Sequence, residues 1–281
     1  MGILKVRRRR TALAAGLATL AMAAGLAAAP AQATDKTKYI ALGDSYAAGQ
    51  GAGPYADACY RSDNSYSELA GDSKAIKLVT NAACSGYTTQ QVVATQLRKL
   101  NKSTELVTIT AGGNNLGFGN LATNCVVAIS VPAAAPLCEE ATAAAMVQLS
   151  GPLTADVAAM IRSVQAAAPN AEIVVTGYPY LFDPFNLDPN DPMTPFIPRA
   201  TALVHELNRS IADAVKATDT EKNRVQFVGV TDAFAGHGIN SKVPWINGAI
   251  PASPTDSFHP NAEGYVAYHK ALSDAGVYSA R

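Results

Sequence analysis

Short, mostly apolar runs recur along the chain, separated by longer stretches with helical periodicity. Tyr39 to Leu42, Ile76 to Val79, Leu106 to Ile109, Ile173 to Val175 and Val225 to Val228 have the length and β-branched content of strands buried on both faces. Between them, Thr88 to Leu100 sets Val92, Val93, Gln96, Leu97 and Leu100 at helical spacing. Thr154 to Ala168, Ala200 to Ala217 and Ala262 to Ala275 give further amphipathic helices. Strand and helix take turns. Parallel neighbours need a crossover, usually helical, so the alternation predicts a three-layer α/β/α sandwich on a five-stranded parallel sheet.

The ends of the chain add a compartment. Residues 1–33 carry Lys5 and Arg7 to Arg10, then an Ala- and Leu-rich run, then Ala31-Gln32-Ala33. This is the form of a signal peptide with a small-residue cleavage site, and four arginines leave twin-arginine export open. The reading makes Thr34 the mature start and 34–281 a single domain, because no linker interrupts it. A transmembrane anchor fits the glycine-bearing, Ala-rich run less well. The leader holds five of the 22 Lys and Arg and none of the 22 Asp and Glu, so the mature part carries a net charge near −5. That balance disfavours nucleic acid and anionic membrane surfaces as main partners. The exported chain is expected to be secreted, monomeric and without a stable membrane span.

Cys59, Cys84, Cys125 and Cys138 all lie in the exported part, where disulfides persist. Of the three possible connectivities, pairing by sequence proximity, Cys59 with Cys84 and Cys125 with Cys138, is preferred; each bridge would contribute roughly 3 kcal/mol in the chain-entropy model. A zinc site is the alternative, but no Cys-x-x-Cys and no nearby histidine supports it.

The loops after the strands carry the candidate chemistry. Gly43-Asp44-Ser45-Tyr46 follows the first strand, Cys84-Ser85-Gly86 the second, Gly112-Gly113-Asn114-Asn115 the third, and Asp256-x-x-His259 precedes the last helix. With strand order 2-1-3-4-5, the first three loops meet at one point outside the carboxyl ends of the strands, where such sheets bind ligands. A serine needs an adjacent base to act as a nucleophile, and an oxyanion hole needs donors that converge. The combination points to acyl transfer.

These four blocks, in this order, resemble the GDSL or SGNH hydrolases, and more narrowly their secreted actinobacterial lipases and esterases. The resemblance spans essentially the whole mature chain and implies the flavodoxin-like 2-1-3-4-5 fold of that family. It makes Ser45 the nucleophile and His259 the general base and acid. Asp256 would orient the imidazole, and Ser45 N–H, Gly86 N–H and the Asn114 amide would form the oxyanion hole. No metal and no cofactor is implied. Asn115 departs from the Asp common at that position, which leaves its own role open.

Other readings are weaker. Ser45 as a helix cap leaves the distant histidine motif unexplained, Asn114 as a turn former needs only left-handed backbone geometry, and a backbone carbonyl can replace Asp256. His205-Glu206 opens a His-Glu-x-x-His pattern, but Arg209 takes the second ligand position. His237 is expected on a loop and His269 on a helix face. Gly49, Gly51 and Gly53 suggest a phosphate cradle and hence a non-catalytic flavodoxin-like binding protein, which gives no reason for His259. An ordinary α/β-hydrolase would place its serine later in the chain. Leu116, Phe118, Val126 to Val131, Tyr178 to Leu187, Phe196 and Trp245 are expected around an apolar pocket. The expected substrate is a small-molecule or lipid ester, with a fatty-acyl ester first and a carbohydrate acetyl ester second.

Overall fold

Five parallel strands form one sheet in the order β2-β1-β3-β4-β5. They are β1 (Thr37–Gly43), β2 (Ile76–Asn81), β3 (Leu106–Thr110), β4 (Glu172–Thr176) and β5 (Val225–Val228). Each contains or equals its predicted run, extended by up to two residues at either end. The computed structural model describes residues 35–281 except 186, 222, 223, 250–252, 280 and 281, so the leader and the Thr34 start lie outside the described residues. β3 is buried along its whole length, as a strand covered on both faces must be.

The helices are α1 (Ser45–Ala48), α2 (Tyr66–Gly71), α3 (Thr89–Thr95), α4 (Phe118–Ser130), α5 (Ala135–Leu149), α6 (Pro152–Ala167), α7 (Ile197–Thr218) and α8 (Ala262–Asp274). Their starts are written in the sequence. Thr88 and Gln91 cap α3 reciprocally, and Asn261 accepts from Gly264 N–H at the start of α8. The expected helix 88–100 is α3 followed by a 3₁₀ turn at Leu97–Lys99, while 154–168, 200–217 and 262–275 correspond to α6, α7 and α8 within three residues at each end. The pair α4 and α5, like the short α2, has no counterpart among the expected helices. The two cystine bridges are Cys59–Cys84 and Cys125–Cys138, the proximity pairing; the second joins α4 to α5.

The core carries hydroxyls as well as hydrocarbon. Thr110 on β3 shares hydrogen bonds with Tyr66 (2.9 Å) and with Thr176 on β4 (2.7 Å), and Thr176 meets the Tyr268 hydroxyl at 2.8 Å. These groups are fully buried, and partnering one another avoids the cost of isolated polar atoms. The ladder ties α2 and α8, whose Tyr66 and Tyr268 stack on one another, to the sheet at the ends of β3 and β4, close to where the functional loops begin. Among the described residues no single helix is long and apolar enough to cross a membrane.

Candidate active site

The turn that presents Ser45 is clamped from several sides. Gly43 ends β1 at φ 133°, and a Cβ there would sit 2.1 Å from the Thr110 carbonyl oxygen, so only glycine fits. The buried Gln96 amide grips Gly43 twice, accepting from its N–H and donating to its carbonyl, both at 2.8 Å. Asp44 is the N-cap of α1 and accepts from Tyr46 N–H at 3.0 Å. Its other oxygen accepts from the Tyr178 hydroxyl at 2.5 Å, and that hydroxyl in turn accepts from Gly113 N–H at 3.1 Å. The nucleophile turn and the Gly112-Gly113-Asn114 block are therefore held in one network. Burial pushes the Asp44 carboxyl up to about 7, against the hydrogen bonds from Tyr178 and Tyr46 N–H that favour its charge.

His259 comes to Ser45 on a loop docked against the same turn. A Cβ at Gly51, which has φ 96°, would lie 2.4 Å from Pro260 O and 2.8 Å from His259 Cβ, so that glycine makes room for the histidine. Asn247 N–H donates to His259 O (2.9 Å) and the Asn247 amide donates to Gly51 O (2.9 Å). The Tyr46 hydroxyl donates to Phe258 O at 2.5 Å, holding Phe258 at φ 65°, where a bulky residue is strained. Gly49 is the left-handed C-cap of α1. Gly49 and Gly51 thus serve turn closure and close approach, not a phosphate cradle.

Ser45 Oγ and His259 Nε2 lie 2.8 Å apart. On the far side of the ring, Nδ1 lies 2.9 Å from the carbonyl oxygen of Ser257. A carbonyl can only accept, so Nδ1 carries the proton and Nε2 is free to accept from the serine hydroxyl. The expected contact from the Asp256 carboxylate is not made. One Asp256 oxygen accepts from the Tyr55 hydroxyl (2.5 Å) and the other from Ser253 Oγ (2.7 Å), because Pro254–Asp256 turn as a 3₁₀ segment that offers the backbone of Ser257 to the ring. Burial lowers the His259 pKa to about 4, with the Ser257 carbonyl and the nearby Asp256 charge opposing it.

The oxyanion candidates stand on two loops. Gly86 takes φ 78° two residues after Cys84, whose bridge to Cys59 and the Ser85 N–H bond to Cys59 O (3.1 Å) fix the loop. The Asn114 amide donates to Tyr87 O at 3.0 Å, so the Asn114 and Gly86 loops are bound to each other. Among the described residues neither Ser45 N–H nor Gly86 N–H is given to a protein acceptor. Asn115 instead works on α3: its carbonyl oxygen accepts from Thr89 N–H and its amide donates to Thr89 Oγ1 and to Asp156.

The remaining sequence candidates lie elsewhere. Glu206 pairs with Arg209 on α7, His237 stacks on Trp245, and His269 stacks on Tyr278. Among the described residues no cluster of His, Cys, Asp and Glu could hold a metal ion. A deep apolar cleft opens beside Ser45 and Asn114, walled by Leu116, Phe118, Tyr178, Phe182 and Phe196 among the expected residues. Trp245 is not part of it, being packed edge-on against the buried Phe234.

Residues 41–267 match the model of the GDSL-like lipase/acylhydrolase family. The chain is similar to a lipase from Streptomyces rimosus, at 34% identity over 265 residues that cover 92% of this chain and 94% of that lipase. In structure it resembles the extracellular lipase of Streptomyces rimosus, with a TM-score of 0.76 and 31% identity over 85% of this chain and 99% of that one. A phospholipase A1 from Streptomyces albidoflavus NA297 gives the same TM-score, at 28% identity and the same coverage of both chains. A serine held against an imidazole at the end of the first strand, in a chain matched over most of its length, establishes the assignment: the protein belongs to the GDSL-like lipase/acylhydrolase family and is a carboxylic ester hydrolase.

Proposed function

We propose that the enzyme cleaves fatty-acyl esters outside the cell through an acyl-enzyme on Ser45. The 2.8 Å contact between Ser45 Oγ and His259 Nε2 carries the reading. As Ser45 attacks the ester carbonyl, Nε2 takes its proton and then returns it to the departing alcohol. Water repeats the sequence on the acyl-enzyme, with His259 again as base. Charge on the carbonyl oxygen is met by Ser45 N–H, Gly86 N–H and the Asn114 amide. The Ser257 carbonyl holds the imidazole in its working tautomer, while Asp256 contributes only through its charge and through fixing Tyr55 and Ser253.

The apolar cleft supports an acyl chain rather than a sugar as the buried part of the substrate. Likeness to a phospholipase A1 brings phospholipid esters into the same reading. Export is supported by the leader pattern, by the two bridges and by the extracellular relative; in this reading 1–33 is removed and 34–281 acts as one domain, as a monomer. Hydrolysis of dioleoyl-phosphatidylcholine, p-nitrophenyl laurate and acetylated xylan by the mature enzyme tests it. Turnover of either acyl ester far above that of the xylan is expected; preference for the xylan would reassign the enzyme to carbohydrate deacetylation.

A further inference from the structure

The cleft beside Ser45 runs lengthwise between two helices. On α4 it is lined by Phe118, Leu121, Ala122, Cys125, Val126 and Ile129, a stripe at helical spacing that continues for three turns. Facing it, Ala200, Leu203, Val204 and Leu207 form a matching stripe on α7, extended by Phe196 in the preceding 3₁₀ turn. The catalytic end is identifiable on both walls. Phe118 follows Asn114 by four residues, and a Cβ at Gly112 would lie 3.7 Å from Leu207 Cδ1. Ile129 and Phe196 therefore mark the distal end, and α4 and α7 run in opposite senses along the cleft. Arg199 is exposed, and among the described residues it is, apart from the buried Asp44, the one charged residue in the lining, so it marks where the cleft meets water.

We infer that this cleft is a measured acyl channel that accommodates a chain of about twelve carbons, with Ala122 near its entrance and Ile129 at its end setting the length. The inference rests on the ester-hydrolase reading of Ser45. From Phe118 to Ile129 the helix advances about 16 Å at about 1.5 Å per residue, and an extended chain of about 1.5 Å bonds advances about 1.3 Å per carbon. The same span separates Leu207 from Phe196 on the other wall. Carbons within the channel are taken out of water and contribute to binding, whereas those past Ile129 and Arg199 remain wet and add little. The far wall does not stand alone, since the Cys125–Cys138 bridge lies in the lining and ties α4 to α5.

A series of p-nitrophenyl esters from butyrate to palmitate, kept below their aggregation limits, tests the channel. With the wild-type enzyme kcat/KM should rise by about two- to fourfold per methylene and stop rising near laurate. Ala122→Phe should move that break to shorter chains than Ile129→Trp does, each lowering the laurate to butyrate ratio of kcat/KM by about tenfold or more. A wild-type profile that is flat from butyrate onward, one that climbs unbroken to palmitate, or a laurate to butyrate ratio that neither substitution changes would overturn the channel. Failure to cleave any ester of the series would instead remove the ester-hydrolase reading beneath it.

Discussion

The residues proposed to do the chemistry differ in how plainly they announce themselves. Ser45 and His259, the proposed nucleophile and base, are legible in the sequence because those roles call for particular side chains, set in turns that glycine permits. The group proposed to orient the imidazole is not legible, since any residue supplies a carbonyl, and Asp256 lies where the sequence pattern calls for a carboxylate. The structure separates the two by hydrogen bonds: Ser257 O meets Nδ1, and Asp256 serves Tyr55 and Ser253. Asp256→Asn should therefore lower kcat by less than about tenfold, against about 10⁴ for a carboxylate that holds the imidazole directly. Asn114→Ala should cost about 10² to 10³ in kcat if its amide meets the oxyanion. Steady-state kinetics on one soluble ester compares both; a large loss in the first variant would return the aspartate to the imidazole, and none in the second would leave Asn114 a turn residue.

At the scale of elements, the five strands and the helices flanking them follow from apolar runs and capping residues. The α4–α5 hairpin does not, and the reason is physical. In α5 the outer face shows Leu137, Met146 and Val147 to water, so no polar stripe marks a helical period there, whereas α4 carries a short one in Asn120, Thr123 and Asn124. The expectation of Val126 to Val131 as pocket wall holds for Val126 and Ile129 but not for the exposed Val127, on another face of α4, or the exposed Val131, which follows the end of α4. The Cys59–Cys84 bridge belongs to this scale as well, for it anchors the loop that presents Gly86. Replacing both cysteines by serine should lower unfolding free energy by about 3 kcal/mol, read by chemical denaturation. Because Gly86 follows the bridge by two residues, kcat should fall with it; full stability in the variant would contradict the assigned role of the bridge.

For the molecule as a whole, pH acts on the part-buried His259 and the buried Asp44 in opposite senses. His259 is displaced down to about 4, so its neutral form persists well into acid, and the acid limb of kcat/KM should have its midpoint near 4, not at the ordinary imidazole value of about 6.5. An unfolded chain takes up that proton first, so His259 costs stability as pH falls below about 6.5. Asp44 is displaced up to about 7. The native state holds that proton more tightly than the unfolded chain does, so Asp44 favours the fold in acid and loses that contribution as pH rises through about 7. Asp44→Asn should consequently steepen the loss of stability between pH 7 and pH 4.5, measured by denaturant unfolding. A parallel loss in both proteins would show that the Asp44 carboxyl titrates like one in water.

The central claim is that one hydroxyl, at Ser45, is activated by His259. Treatment with a fluorophosphonate, followed by peptide mapping by mass spectrometry, tests it most directly. The account predicts one adduct, on the peptide that contains Ser45, in proportion to lost activity, and labelling slowed by orders of magnitude in His259→Ala. An adduct on another residue that abolishes hydrolysis, or unimpaired hydrolysis by Ser45→Ala, would contradict it.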